Sequence, residues 1–321
     1  VANLISGFIR KISFGNDFEA QLNQYVECRA AFHNLDDISR TLCLCILELC
    51  MQTHKVVKGR HSKKTVAFVK ASLAFCHISI PSIDSVFDRL HLLLQCAIVS
   101  LQNQCLPQTD TFLKSAISLI PEVPLTEVCE YRNVNTEPRL ASLLCSFVGL
   151  LIVVPGSPEH GPFYLVQGFL NAVPRYKWSE TSGAQIGVYI EMLGMLSAFK
   201  QPSLPYHVEF VDSNDTLYGG SKEYHEELDE VTASVMKLIV DNLTRLGESE
   251  GKNVKSKQSE MSLLLVNKMI TVLEMDEVSF KFAKNLLKLV DKAANAKELT
   301  VSIMKQYNDT KSLLAKYIPN Q

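Results

Sequence analysis

The chain has 321 residues, 47% of them apolar, enough for a large core and too many for a disordered tail. Thirty-two Lys and Arg against 34 Asp and Glu leave a formal charge of −2, so no overall excess draws it onto nucleic acid or an anionic membrane. Nine cysteines, odd in number, without a CxxC and set in apolar runs such as "TLCLCILELC", argue for reduced core thiols and against a disulfide framework or zinc ribbon.

The chain opens at Val1 with neither an initiator methionine nor a charged segment leading into an apolar one, which suggests a fragment of a longer protein. Polar or proline-containing breaks fall at 34–37, 58–64, 80–82, 105–110 and 154–161. Between Ile83 and Leu101 the apolar positions 83, 86, 87, 90, 94, 97, 98 and 101 trace one helical stripe. The same spacing predicts helix at 112–120, 231–246 and 282–290. The longest apolar run, Leu140–Val154, is the one membrane candidate in the sequence, but its 15 residues before Pro155 fall short of the ~20 a span needs. It reads as a buried central helix. The polar stretch "GESEGKNVKSKQSE", 247–260, is expected to be a flexible loop. Without sustained period-2 alternation, the expected fold is all-α: a HEAT-like α-solenoid of about a dozen antiparallel helices, one unit over 1–321.

Few motifs carry chemistry. In "VDSNDTLYGGSKE", 211–223, Asp212, Asn214, Thr216 and Glu223 partly follow the EF-hand ligand order, which allows a calcium- or metal-responsive module. Leu217 stands where that loop needs glycine. The stronger reading is a tight corner, with Asp212 to Asp215 bonding nearby backbone, Gly219 and Gly220 at positive φ, and the following helix capped. "GSPEHG", 156–161, lacks the lysine of a phosphate-binding loop, and Pro158 and Glu159 suit a helix's first turn instead. Cys76 and His77 are neighbours whose side chains diverge by ~100° on a helix, so they do not read as a catalytic pair. The histidines show no metal-ligand spacing, and neither a metal nor a cofactor is expected. Lys55, Lys58, Arg60, Lys63 and Lys64 crowd one inter-helix turn, either a solvated turn or a contact for phosphate or an acidic partner.

Five stretches in order, "LNQYVECRAAFHNLDD" (22–37), "VKGRHSKKTVAFVKA" (57–71), "AISLIPEVP" (116–124), "PEHG" (158–161) and "VDSNDTLYGGS" (211–221), resemble the vacuolar-protein-sorting-35-like scaffold subunit of the retriever complex. The resemblance covers the first two thirds of the chain and departs after about residue 247. It implies the C-terminal region of a HEAT-like solenoid, non-catalytic, that cradles the vacuolar sorting 29 subunit, which has a metallophosphoesterase fold. It further implies an arrestin-like subunit docking towards the scaffold's other end, and coiled-coil and COMM-domain proteins in the larger commander assembly. The setting would be cytoplasmic and peripheral on endosomes, returning cargo to the plasma membrane. Partner anchors should then be aromatic residues with a polar rim; Phe163, Tyr164, Tyr176 and Trp178 are the densest supply, with Asp215 and Tyr218 at the corner.

Overall fold

The computed structural model describes all residues except 130–131, 158, 205, 252, 274 and 317–321, and the side chains of 128, 129 and 132. The described residues form fourteen α-helices, three single 3₁₀ turns and one short hairpin, joined by loops, an all-α, solenoid-like fold. They fall into two compact units.

The first unit comprises 1–136, 153–176 and 206–213. It holds α1 (Ala2–Ile9), α2 (Phe18–Ala31), α3 (Asp36–Val57), α4 (Lys63–Ser79), α5 (Val86–Gln102) and α6 (Leu106–Leu119). The hairpin β1 (Thr126–Cys129) and β2 (Arg132–Asn135) follows, and α8 (Tyr164–Ala172) comes later in the chain. The starts of these helices are written in the sequence. Asp17 accepts from the Ala20 amide (3.0 Å) at α2, and Ser85 accepts from the Asp88 amide (3.1 Å) at α5. Ser62 and Thr65 form a reciprocal capping box at α4. Helix α3 packs on α4 and α5, α5 on α6, and α6 on α8. Ile38, Leu42 and Ile46 of α3, Leu73 of α4, Leu90 of α5 and Phe112 of α6 are buried in its core.

Three expectations are corrected here. The break expected at 105–110 is only its beginning, because α6 starts at Leu106 with Pro107 in the first turn, where a missing N–H costs nothing. The antiparallel hairpin, Thr126 opposite Asn135 and Cys129 opposite Arg132, was not predicted; its strands are four residues each, too short to show a period. Glu159 lies in a turn closed by the Gly161 amide on the Ser157 carbonyl (2.8 Å), not in a helix's first turn, and Pro158 falls outside the described residues.

The second unit comprises 137–152, 177–205 and 214–321. Its helices are α7 (Glu137–Leu151), α9 (Ala184–Phe199), α10 (Asn214–Tyr218), α11 (Lys222–Glu248), α12 (Val254–Val272), α13 (Glu277–Asn295) and α14 (Val301–Lys316). Helix α9 lies against α7, α11 and α12, and α12 also carries α13 and α14. As expected, the 140–154 run is largely a core helix, α7, with Leu140, Leu144, Phe147 and Val148 buried. By length and apolarity it is instead 63–82 that could cross a membrane; Val69, Leu73, Phe75 and Cys76 of that stretch are buried in the first unit.

The predicted loop at 247–260 shrinks to a few residues. Gly247 and Glu248 end α11, and α12 begins at Val254. Two of its buried polar residues have partners: Gln258 Nε2 donates to the Leu243 carbonyl (2.9 Å), and the Ser259 hydroxyl to that of Lys255 (2.8 Å). Gly247 makes this approach possible, since a Cβ there would stand 2.1 Å from Gln258 Nε2.

Candidate partner-binding surface

The aromatic cluster divides on burial. Phe163 is 0% exposed and Tyr176 3%, so both belong to the first unit's core and are not surface anchors. The Tyr176 hydroxyl shares a 3.2 Å hydrogen bond with Thr136 Oγ1, whose hydroxyl also meets the Pro124 carbonyl. Tyr164 stays half-buried, its ring beneath Lys114 Nζ (4.9 Å) and 5.2 Å from the His160 ring. Lys114 pairs in turn with Asp110 (2.8 Å), one turn back on α6.

Trp178 is half-buried in the second unit, and its loop is fixed by a residue that sequence reasoning missed. Glu137, the buried first residue of α7, accepts from the Ser179 amide (3.1 Å) and from the Ser182 hydroxyl. Ser182 Oγ also accepts from the Ala184 amide (3.1 Å) as α9 begins. One carboxylate thus pins the segment after Trp178 to the start of one helix and the entry of another. An anchor held this way loses little freedom on binding.

The corner at 211–223 is built from different parts than the sequence suggested. Asp215 Oδ2 accepts from the Leu204 amide (3.0 Å). Tyr218 stacks on Tyr224, centroids 6.1 Å apart and planes 12° off parallel. Ser221 caps α11 by accepting from the Tyr224 amide (3.3 Å) and donates to Glu223 (2.6 Å), a bond that holds the Glu223 carboxyl below its ordinary pKa. Burial pushes the Tyr224 phenol up, with Asp215 adding to it. Neither Gly219 nor Gly220 takes the positive φ expected; Gly219 is required because a Cβ would stand 2.4 Å from the Asp215 carbonyl oxygen. The proposed calcium ligands do not converge. Asn214 is buried and Thr216 exposed, two residues apart on α10 and so about 200° around it. Asp212 is exposed, Glu223 is bonded to Ser221, and among the described residues no three His, Cys, Asp or Glu side chains group as a metal site.

All five basic residues at 55–64 are exposed, and Lys64 reaches Glu19 (3.1 Å). Helix α3 ends through Lys58 and Gly59, both left-handed (φ 52° and 71°), and Gln104 Nε2 bonds the Gly59 carbonyl (2.7 Å). His54 and His61 stand 5.9 Å apart beneath this turn. Neither His61 ring nitrogen has a hydrogen-bond partner, and burial, with His54 second, lowers its pKa. Cys28, Cys43, Cys50, Cys76, Cys96 and Cys105 are buried thiols, Cys45 and Cys145 are half-buried, and the Cys129 side chain lies outside the described residues; the hydrogen bond with Cys76, then burial, raises Cys43, and burial pushes Cys50 up to about 12. Cys76 is buried while His77 is exposed and packs edge-on to Phe112 (5.8 Å), so the two do diverge.

Fourteen α-helices in two compact units, among the described residues, define an all-α, solenoid-like protein. A family model described as the VPS35L C-terminal domain matches residues 1–317. The chain belongs to that family. "VPS35 endosomal protein-sorting factor-like" of Mus musculus is 43% identical over 270 residues, 84% of this chain and 28% of that protein. The Homo sapiens protein of the same description is 42% identical over 267 residues, 83% of this chain and 27% of its own length. "VPS35 endosomal protein sorting factor-like" of Dictyostelium discoideum is 39% identical over 293 residues, 91% of this chain and 30% of that protein. The chain therefore spans less than a third of these relatives. The family match runs far past residue 247, where the resemblance was expected to depart.

Proposed function

We propose that this chain is a non-catalytic scaffold segment of an endosomal sorting factor, and that its partner is the vacuolar sorting 29 subunit of the retriever complex. The observation that carries this reading is the match of residues 1–317 to the family model described as the VPS35L C-terminal domain. The named relatives are sorting factors, and endosomal sorting by scaffolding needs partner surfaces rather than a reaction centre. On this reading the complex acts on the cytoplasmic face of endosomes, recycling cargo to the plasma membrane. Coiled-coil and COMM-domain proteins of the commander assembly join it, and the arrestin-like subunit docks on the longer protein outside this chain.

Trp178, Tyr164, Asp215 and Tyr218 remain as contact residues, Trp178 first because the Glu137 clamp holds its loop; the buried Phe163 and Tyr176 are withdrawn. The test is co-elution with the purified vacuolar sorting 29 subunit on size exclusion. The wild type should run as a stoichiometric complex, and Trp178→Ala should weaken it by ~2 kcal/mol, roughly thirtyfold, as for a central aromatic anchor. Separate elution of the wild-type pair overturns the partner; an unaffected Trp178→Ala variant moves the contact elsewhere.

A further inference from the structure

At the turn between α3 and α4, a cationic surface and an exposed aromatic ring share one framework. Lys55, Lys58, Arg60, Lys63 and Lys64 are exposed, and among the described residues only Lys64 of the five pairs with a carboxylate, Glu19 at 3.1 Å. Glu209 and Asp212, on either side of Phe210, are also exposed, so five cations stand against three carboxylates. Phe210 holds φ at 62°, a left-handed conformation that costs a bulky side chain energy, yet its surface is 54% exposed. It lies against Gly59, where a Cβ would stand 3.0 Å from the ring edge. Gln104, itself at φ 60°, fixes the Gly59 carbonyl. Val56, in the last turn of α3, is 70% exposed.

Stability alone does not favour holding an aromatic ring in water on a strained backbone. The arrangement suits a partner that offers negative charge and an apolar layer together. The boundary of an anionic bilayer has both: long lysine stems reach headgroups while an aromatic and a valine enter the acyl edge. A purely acidic peptide would answer the charge and leave Phe210 and Val56 in water.

We propose that the α3–α4 turn, together with Phe210, is a docking surface for an anionic lipid bilayer, with the basic side chains at the headgroups and Phe210 and Val56 in the interface. It is separate from the residues assigned to the subunit partner, so either reading can fail alone.

The test is co-sedimentation of the full chain with phosphatidylcholine vesicles, with and without phosphatidylserine, at low and high salt. Binding should require phosphatidylserine and fall with salt. Arg60→Glu/Lys63→Glu should reduce partitioning at least roughly thirtyfold, from ~1 kcal/mol lost per basic residue near an anionic surface before the added repulsion of each carboxylate. The fold should survive, because Lys63 opens α4, where a carboxylate is favoured. Phe210→Ser, which keeps the Cβ and so the same backbone constraint, should weaken binding at both salt concentrations. Equal binding to both vesicle types overturns the proposal. So does phosphatidylserine binding that Phe210→Ser leaves unchanged while a poly-glutamate peptide competes it away, which would make the surface an acidic-peptide site.

Discussion

Replacing Glu137 by alanine should loosen the second unit and disturb the surroundings of Trp178. The side chain is 3% exposed and its two oxygens accept from the Ser179 amide (3.1 Å) and the Ser182 hydroxyl. Hydrogen bonds to a carboxylate contribute ~1.5–3 kcal/mol each, but Ser179 is exposed enough for water to replace part of its loss. Ser182 also keeps its contact with the Ser179 carbonyl (3.3 Å). The net expectation is ~2–3 kcal/mol. In a unit of about 150 residues that lowers Tm by ~4–12 °C. Trp178 is the chain's single tryptophan and sits one residue before Ser179, so its fluorescence reports on the clamp directly. Glu137→Gln, which keeps one acceptor, should fall between wild type and alanine. If Glu137→Ala melts with the wild type and leaves Trp178 emission unchanged, the clamp does not hold this loop.

Gly219→Ala places a methyl carbon 2.4 Å from the Asp215 carbonyl oxygen, a backbone atom that cannot swing aside, and should cost ~1–3 kcal/mol in urea denaturation, whereas Gly220→Ala, with open space around it, should be near neutral. His61 is held below the ordinary histidine pKa of ~6.5, so the unfolded chain takes up its proton first; its contribution to stability is present above that pH and is lost as pH falls through the folded value. Denaturation series from neutral to mildly acid pH should show a decline that is shallower in His61→Asn, and parallel curves would remove His61 as a cause.

Helices were legible because apolar spacing is local information. The stripe at 83–101 falls in α5 from Val86 onward, 112–119 lies in α6 with Ile120 just past its end, and 282–290 lies in α13, each with its buried face where the pattern put it. What could not be read depends on long-range partners. The stretch 254–260 looks like loop because Ser256, Gln258 and Ser259 are polar, and it is helix because those groups are buried among acceptors such as the Leu243 carbonyl, 15 residues away. Phe163 and Tyr176 have the composition of an interface, yet aromatics fill cores equally well, and only burial separates the two uses. The Glu137 clamp joins residues 42 and 45 positions apart. Its one local hint is the run Thr136, Glu137, Pro138, which reads as an ordinary helix start. The contact of Phe210 with Gly59 has no local signature at all.

The scaffold reading is tested most directly by calorimetric titration of this chain with purified vacuolar sorting 29 subunit, run in chelator and again with calcium. Submicromolar, one-to-one binding that is the same in both buffers is the predicted result, with the 211–223 corner acting as a helix junction. No binding, or binding that appears only with calcium, would contradict it and return Asp212 and Glu223 to the role of ion ligands.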